Sequence, residues 1–207
     1  DATSADGTQP HPFLTVAAGY TAVPAGGQIA IAAGEYAERL SLTRPVRLTG
    51  RCASLVTLRG AQVVGVDRVP LTLSEGGSGT VVRGITLTGG SAGLLIDGAI
   101  GVEVVESQIR ETGDRALQLD QGASVSLRRT LVAGATAYGI FSAGSALELA
   151  ESVVRDTRAD AAGALGRGIE AECSSLGPCG SLRLSRCLIS GNRNVGLFLG
   201  GVDTEVV

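Results

Sequence analysis

The chain has 207 residues, a net charge of −3, 44% hydrophobic residues and 31 glycines, but only three Phe, three Tyr and no Trp. This composition supports a buried core of aliphatic side chains, interrupted by many turns, since glycine stands at about twice its usual share. All 17 basic residues are Arg and form no basic block, which argues against nucleic acid as a partner; no apolar run reaches the ~18 residues of a membrane span.

Residues 1–25 read as a lead-in and cap. The chain opens at Asp1 on a polar stretch, as a mature or trimmed protein would, and residues 1–12 are expected to be extended. Pro12-Phe13-Leu14-Thr15-Val16-Ala17-Ala18 is expected to form a short helix over the end of the following domain, with Gly19 weakening it. From residue 26 onward the pattern changes to short alternating segments. Gln28-Ile29-Ala30-Ile31 comes first, then Gly34-Glu35-Tyr36-Ala37-Glu38, then Leu40 and Leu42, then Pro45-Val46-Arg47-Leu48 and Gly50.

A repeat then becomes visible. Leu71, Leu94, Leu117 and Ile140 recur every 23 residues. A second series is read as Leu58, Val81, Val104 and Leu127, with Leu149 following, and a third as Ile109, Val132 and Val154. Each unit therefore holds three alternating segments, which predicts three strands with every second side chain inward. Stacked at the ordinary strand spacing of ~4.8 Å, such units form three parallel sheets around one core, and each coil needs its neighbours to bury its apolar face. A leucine-rich repeat would require an Asn frame and a helical segment per unit; the chain shows neither. Arg83, Glu106, Arg129, Glu151 and Arg186 take one outward place in successive coils with alternating sign, which predicts a solvated ladder of ion pairs rather than a binding strip.

One outward face differs from the rest. The row Thr72, Leu95, Gln118, Phe141, Glu170, Phe198 is followed two positions on by Ser74, Asp97, Asp120, Ala143, Glu172, Gly200. Arg115, Tyr138 and Arg167 lie just upstream. The step from Leu149 to Leu184 is 35 residues, and its extra residues fall on either side of the strand carrying Glu170 and Glu172. Insertions in solenoids become loops, and loops on one face often carry binding. Cys173 and Cys179 lie in the second insertion and are the best disulfide pair, with Cys179–Cys187 as the alternative. Cys187 takes the place of Ser107, Thr130 and Ser152. Four scattered cysteines without C-x-x-C spacing do not predict a metal site. They favour an oxidising compartment, hence a secreted, periplasmic or cell-surface location. The last residues, Thr204-Glu205-Val206-Val207, align with Val102-Glu103-Val104, so the chain is expected to stop within a strand and to leave an edge open to association or to further chain.

The stretch from Phe13 to Gly50 resembles the start of proteins of the pectin-lyase-like superfamily. Many of these carry a P-F-x-T-I helix, then P-x-G-D-x-I-x-V-x-P-G-x-Y-x-E, then K-P-V-x-L-x-G. The resemblance implies an all-β, right-handed parallel β-helix of about seven three-strand coils behind a short N-terminal cap. It implies polysaccharides as the ligand class, but not one activity. The D-F-I-F-G of pectin methylesterases, the N-T-D, G-H-G and R-x-K of polygalacturonases and the D-P-H-E of alginate epimerases are all missing, and the one His, His11, lies in the lead-in. The expected function is therefore a polysaccharide- or envelope-glycan-binding face, or a structural module. On this reading Phe141, Phe198 and Tyr138 supply apolar contact, Asp97, Gln118, Asp120, Glu170 and Glu172 accept or donate hydrogen bonds, and Arg115 and Arg167 contact acidic sugars. The alternative is a polysaccharide lyase or glycoside hydrolase using the same carboxylates, because Asp97 and Asp120 one coil apart, and Asp120 and Glu172 two coils apart, bracket the ~5 to ~10 Å separations such chemistry uses. Adjacent Asp97 and Asp120 would also attract a cation such as Ca²⁺.

Overall fold

A computed structural model describes residues 5–60, 69–175, 177 and 179–207; residues 1–4 of the expected lead-in lie outside the described residues. The alternating segments form strands that wind into three parallel sheets. The first sheet has eight strands, from Gln28–Ile31 to Asp203–Val206. The second and third have seven each, from Gly34–Ala37 to Leu188–Ser190 and from Leu40–Leu42 to Leu197–Gly200. Chain order visits the sheets in rotation, so every hydrogen-bonded neighbour is the same strand one coil away, and the fold is a parallel β-helix of about seven coils. Inward side chains stack in columns. Leu71, Leu94, Leu117, Ile140 and Ile169 follow one another in register and are fully buried. The interior is narrow and aliphatic, which explains the scarcity of aromatics.

The first and third series of the repeat hold. The second needs correction. Leu58 belongs to the second sheet and pairs with Leu87. In the first sheet Val104 pairs with Val82, not Val81, and the column reads Leu48, Val82, Val104, Leu127, Leu149, Leu184. The slip arises because the coil after Leu71 contains a 3₁₀ turn, Glu75–Gly77, that takes up one more residue than the corresponding corner of the next coil. Gly76 is required there, since a Cβ would lie 2.3 Å from the Thr43 carbonyl oxygen.

The helix also lies further along than expected, at Val16–Ala22, and runs through Gly19. Its start is fixed twice. The Thr15 side chain accepts from the Ala18 N–H, as an N-cap does, and the Glu38 carboxylate accepts from the Val16 and Ala17 N–H groups at 2.9 Å each. Glu38 belongs to the first coil, so this second cap is tertiary and offsets the weak local propensity of the segment.

The charge ladder forms at the corner between the first and second sheets. Glu106 meets Arg83 at 2.8 Å and Arg129 at 2.9 Å, and Glu151 meets Arg186 at 2.6 Å. Glu106, Arg129, Glu151 and Arg186 share a left-handed backbone conformation, with φ between 48° and 53°. Gly84 (φ 64°) holds that place in the coil below, so Arg83 sits one residue early and reaches Glu106 from the preceding strand position. In the coils of Glu106, Arg129, Glu151 and Arg186 the side chain of the next residue folds back onto main chain. Thr130 donates to the Arg128 and Val104 carbonyls, and Cys187, in the equivalent place, to those of Ser185 and Leu149. The expected role of Cys187 as a small corner residue thus holds.

Hydrogen bonds from the arginines, Arg129 first for Glu106 and Arg186 first for Glu151, hold both carboxyls below their ordinary value of 4.5. A depressed carboxyl stabilises the fold above its unfolded value and loses that contribution as pH falls through the folded one. Glu106→Gln should therefore melt below wild type at neutral pH, and the gap should close as pH drops below about 4.5. Melting curves across pH would check this; a gap that persists at low pH would assign the loss to packing instead.

Candidate functional site

The exposed side of the third sheet carries three outward columns. The middle one is Ser41, Thr72, Leu95, Gln118, Phe141, Glu170, Phe198, each residue paired with the next. The outer column contains Ser74, Asp97 and Asp120 as successive partners, then Ala143, Glu172 and Gly200. Arg115, Tyr138 and Arg167 form the third column. Arg115 and Gln118 face the same way although three residues apart, because Ala116 and Leu117 both turn inward and are fully buried. This bend where each strand enters the sheet is what brings the upstream arginines onto the face.

The structure places all the sequence-predicted face residues on this side and joins many of them. Arg115 lies over the Phe141 ring at 4.9 Å and the Tyr138 ring at 5.3 Å, and those rings meet edge to face at 5.4 Å. Its guanidinium pairs with Asp114 at 3.0 Å and donates to Gln118 Oε1; Gln118 Nε2 in turn donates to Asp120 Oδ2 at 2.6 Å. One coil above Tyr138, Arg167 pairs with Glu170 and lies over the Phe198 ring at 4.1 Å. Glu170 is buried between Phe141 and Phe198, its column neighbours. Burial, and next the Glu170 charge, push the Tyr138 phenol above its ordinary value.

The two enlarged connections flank this sheet as the spacing implied. One links Val153–Arg155 to Arg167–Glu172, the other Arg167–Glu172 to Ser181–Ser185. The Cys173–Cys179 disulfide is formed and closes the second; Cys52 and Cys187 are free. Asp97 and Asp120 are Cα partners on adjacent strands. Among the described residues no group of three or more His, Cys, Asp or Glu is arranged to hold a metal ion. No helix among the described residues is long and apolar enough to cross a membrane.

A second concave surface went unread in the sequence. A shallow groove of about 650 Å³ lies on the outside of the first sheet. Along it runs the register column Glu103, Ser126, Glu148, Arg183, Glu205. Arg128 pairs with Glu148 at 3.4 Å and Arg183 with Glu205 at 2.6 Å. The spacing of this column is visible in the sequence, but its charged and polar residues are indistinguishable there from ordinary surface.

Fold and face together define a parallel β-helix with one aromatic- and carboxylate-bearing side. The chain belongs to the right-handed β-helix family: the family described as "Right handed beta helix region" matches residues 50–207. Among solved structures it is similar to pectate lyase Pel9A, at 11% identity and a TM-score of 0.59, covering 91% of this chain and 61% of that one. The chain thus spans less than two thirds of that enzyme. It is also similar to the pectin methylesterase from Aspergillus niger, at 12% identity and a TM-score of 0.58, covering 95% of this chain and 84% of that one. At these identities the likeness is one of fold. A comparison with curated protein sequences finds no match.

Proposed function

We propose that the outward face of the third sheet binds a glycan chain, and that the protein works outside the cytoplasm, as a secreted or surface protein. The observation that carries this is the convergence of three of the chain's six aromatic rings, Tyr138, Phe141 and Phe198, with an amide and several carboxylates on one face. Aromatic faces beside hydrogen-bonding groups suit the alternating apolar and hydroxyl surfaces of sugars. The face is continuous over several coils, as a polymer requires, and two enlarged connections bound it. The disulfide supports an oxidising location. The two structural neighbours, one named for pectate and the other for pectin, share the fold.

Titration of the chain with tetrasaccharides that are neutral, N-acetylated, amino or uronic should show saturable binding of at least one. Phe141→Ala should weaken that binding by about tenfold, the loss expected for one ring contact. Arg183→Ala, on the first-sheet groove, should leave it unchanged. Absence of binding by every class up to ~10 mM, a free energy of only ~3 kcal/mol, would refute the proposal.

A further inference from the structure

The charge on this face narrows the ligand class, on the reading that it binds glycan. Its two guanidiniums are already engaged within the chain. Arg115 pairs with Asp114, donates to Gln118 and covers two rings; Arg167 pairs with Glu170 and covers Phe198. Each is partly neutralised by a carboxylate of its own chain, which weakens its pull on the carboxylate of an acidic sugar. The outer column is the reverse case. Asp97, Asp120 and Glu172 share it, and among the described residues none of the three has an arginine partner. Asp120 accepts one hydrogen bond, from Gln118, and Asp97 Oδ1 is buried without any donor.

Like charges on adjacent strands destabilise each other, and a bound cation relieves them. The acids run along the sheet instead of converging on one point, and no three of the metal-ligating type gather among the described residues. An extended strip of this kind suits cations spaced along a chain rather than one metal ion. We infer that the face takes a glycan bearing free amines. Each ammonium brings three N–H donors and a positive charge to carboxylates that have no arginine partner among the described residues. An N-acetylated sugar brings one donor and no charge. A uronate chain brings further negative charge into a region holding five carboxylates, with Asp114 and Glu170 counted, against two engaged arginines, and is repelled.

The test is calorimetric titration of the whole chain with the tetramers of glucosamine, N-acetylglucosamine and galacturonate at about 0.15 M salt, where long-range attraction is largely screened. The glucosamine tetramer should bind at least about tenfold tighter than the acetylated one, and the galacturonate tetramer should not bind. Asp97→Asn and Glu172→Gln should each reduce this preference several-fold, with folding checked by circular dichroism. Glu106→Gln removes the same charge from the ladder at another corner and should leave the preference intact. Equal or tighter binding of the acetylated or uronate tetramer overturns the inference while sparing the glycan reading. A loss in Glu106→Gln matching that in Asp97→Asn also overturns it, by showing general attraction to an acidic protein. Failure of all three tetramers to bind removes the glycan reading and the inference with it.

Discussion

Arg167→Ala should destabilise the protein by about 2–4 kcal/mol, and replacing the pair together, as Arg167→Met with Glu170→Gln, should recover most of that loss. The reason lies in the asymmetry of burial. The Glu170 side chain is 6% exposed and that of Arg167 23%. Glu170 sits between Phe141 and Phe198 on the sheet, and among the described residues Arg167 is the one cation that meets its carboxylate. Removing the arginine leaves a charge in an apolar slot without its counter-charge, which commonly costs about 3–5 kcal/mol; partial access of water to the arginine side lowers the figure here. Removing both charges leaves no such penalty, so the two substitutions should be strongly non-additive. Chemical denaturation of wild type, both single variants and the double variant measures the coupling. A single-variant loss below about 0.5 kcal/mol would mark the pair as an ordinary surface bridge. Phe198 also loses the guanidinium over its ring, so Arg167→Ala should loosen the face as well as the fold.

Leu117→Ala should cost about 3–5 kcal/mol, since it removes three buried carbons and leaves a cavity. Leu117 is fully buried with Leu94 below and Ile140 above. A solenoid distributes such damage in one dimension, because each coil rests on its neighbours. Hydrogen exchange should therefore quicken in Ala92–Asp97 and Tyr138–Ala143, the adjoining strands, and remain near wild type in Gln28–Ile31 at the far end. Leu188→Ala, at a site 56% exposed, should cost under about 0.5 kcal/mol. Uniform acceleration of exchange would show that the coils unfold only together.

The period was legible because inward positions in a solenoid have no freedom: a column of Leu, Ile and Val must repeat at the coil length. The outward columns followed from the same alternation, which is why Gln118, Phe141, Glu170 and Phe198 could be aligned from residue numbers. Legibility failed where the chain departs from the strand rule. Val82 and not Val81 falls in the column because a 3₁₀ turn changes the count within one coil. The helix begins later than its local sequence implies because two of its three side-chain-capped N–H groups are held by Glu38, in another element. The pairing of Arg167 with Glu170 depends on the bend at Gly168 and Ile169, the same bend that turns Ala116 and Leu117 inward in an earlier coil, and alternation alone puts positions 167 and 170 on opposite sides. That pairing bears on the ligand class proposed, since an arginine already paired with its own chain's carboxylate attracts an acidic sugar less.

Two surfaces remain in competition on physical grounds: the third-sheet face, with its rings and unmatched acids, and the polar groove of the first sheet, whose two arginines are paired with glutamates. Backbone amide chemical-shift mapping of the chain, titrated with whichever tetrasaccharide binds, separates them directly. The account predicts shifts centred on Gln118, Phe141, Glu170 and Phe198 and on the adjoining loop closed by Cys173 and Cys179. Shifts centred on Ser126, Glu148 and Arg183, with the third sheet unchanged, would contradict it.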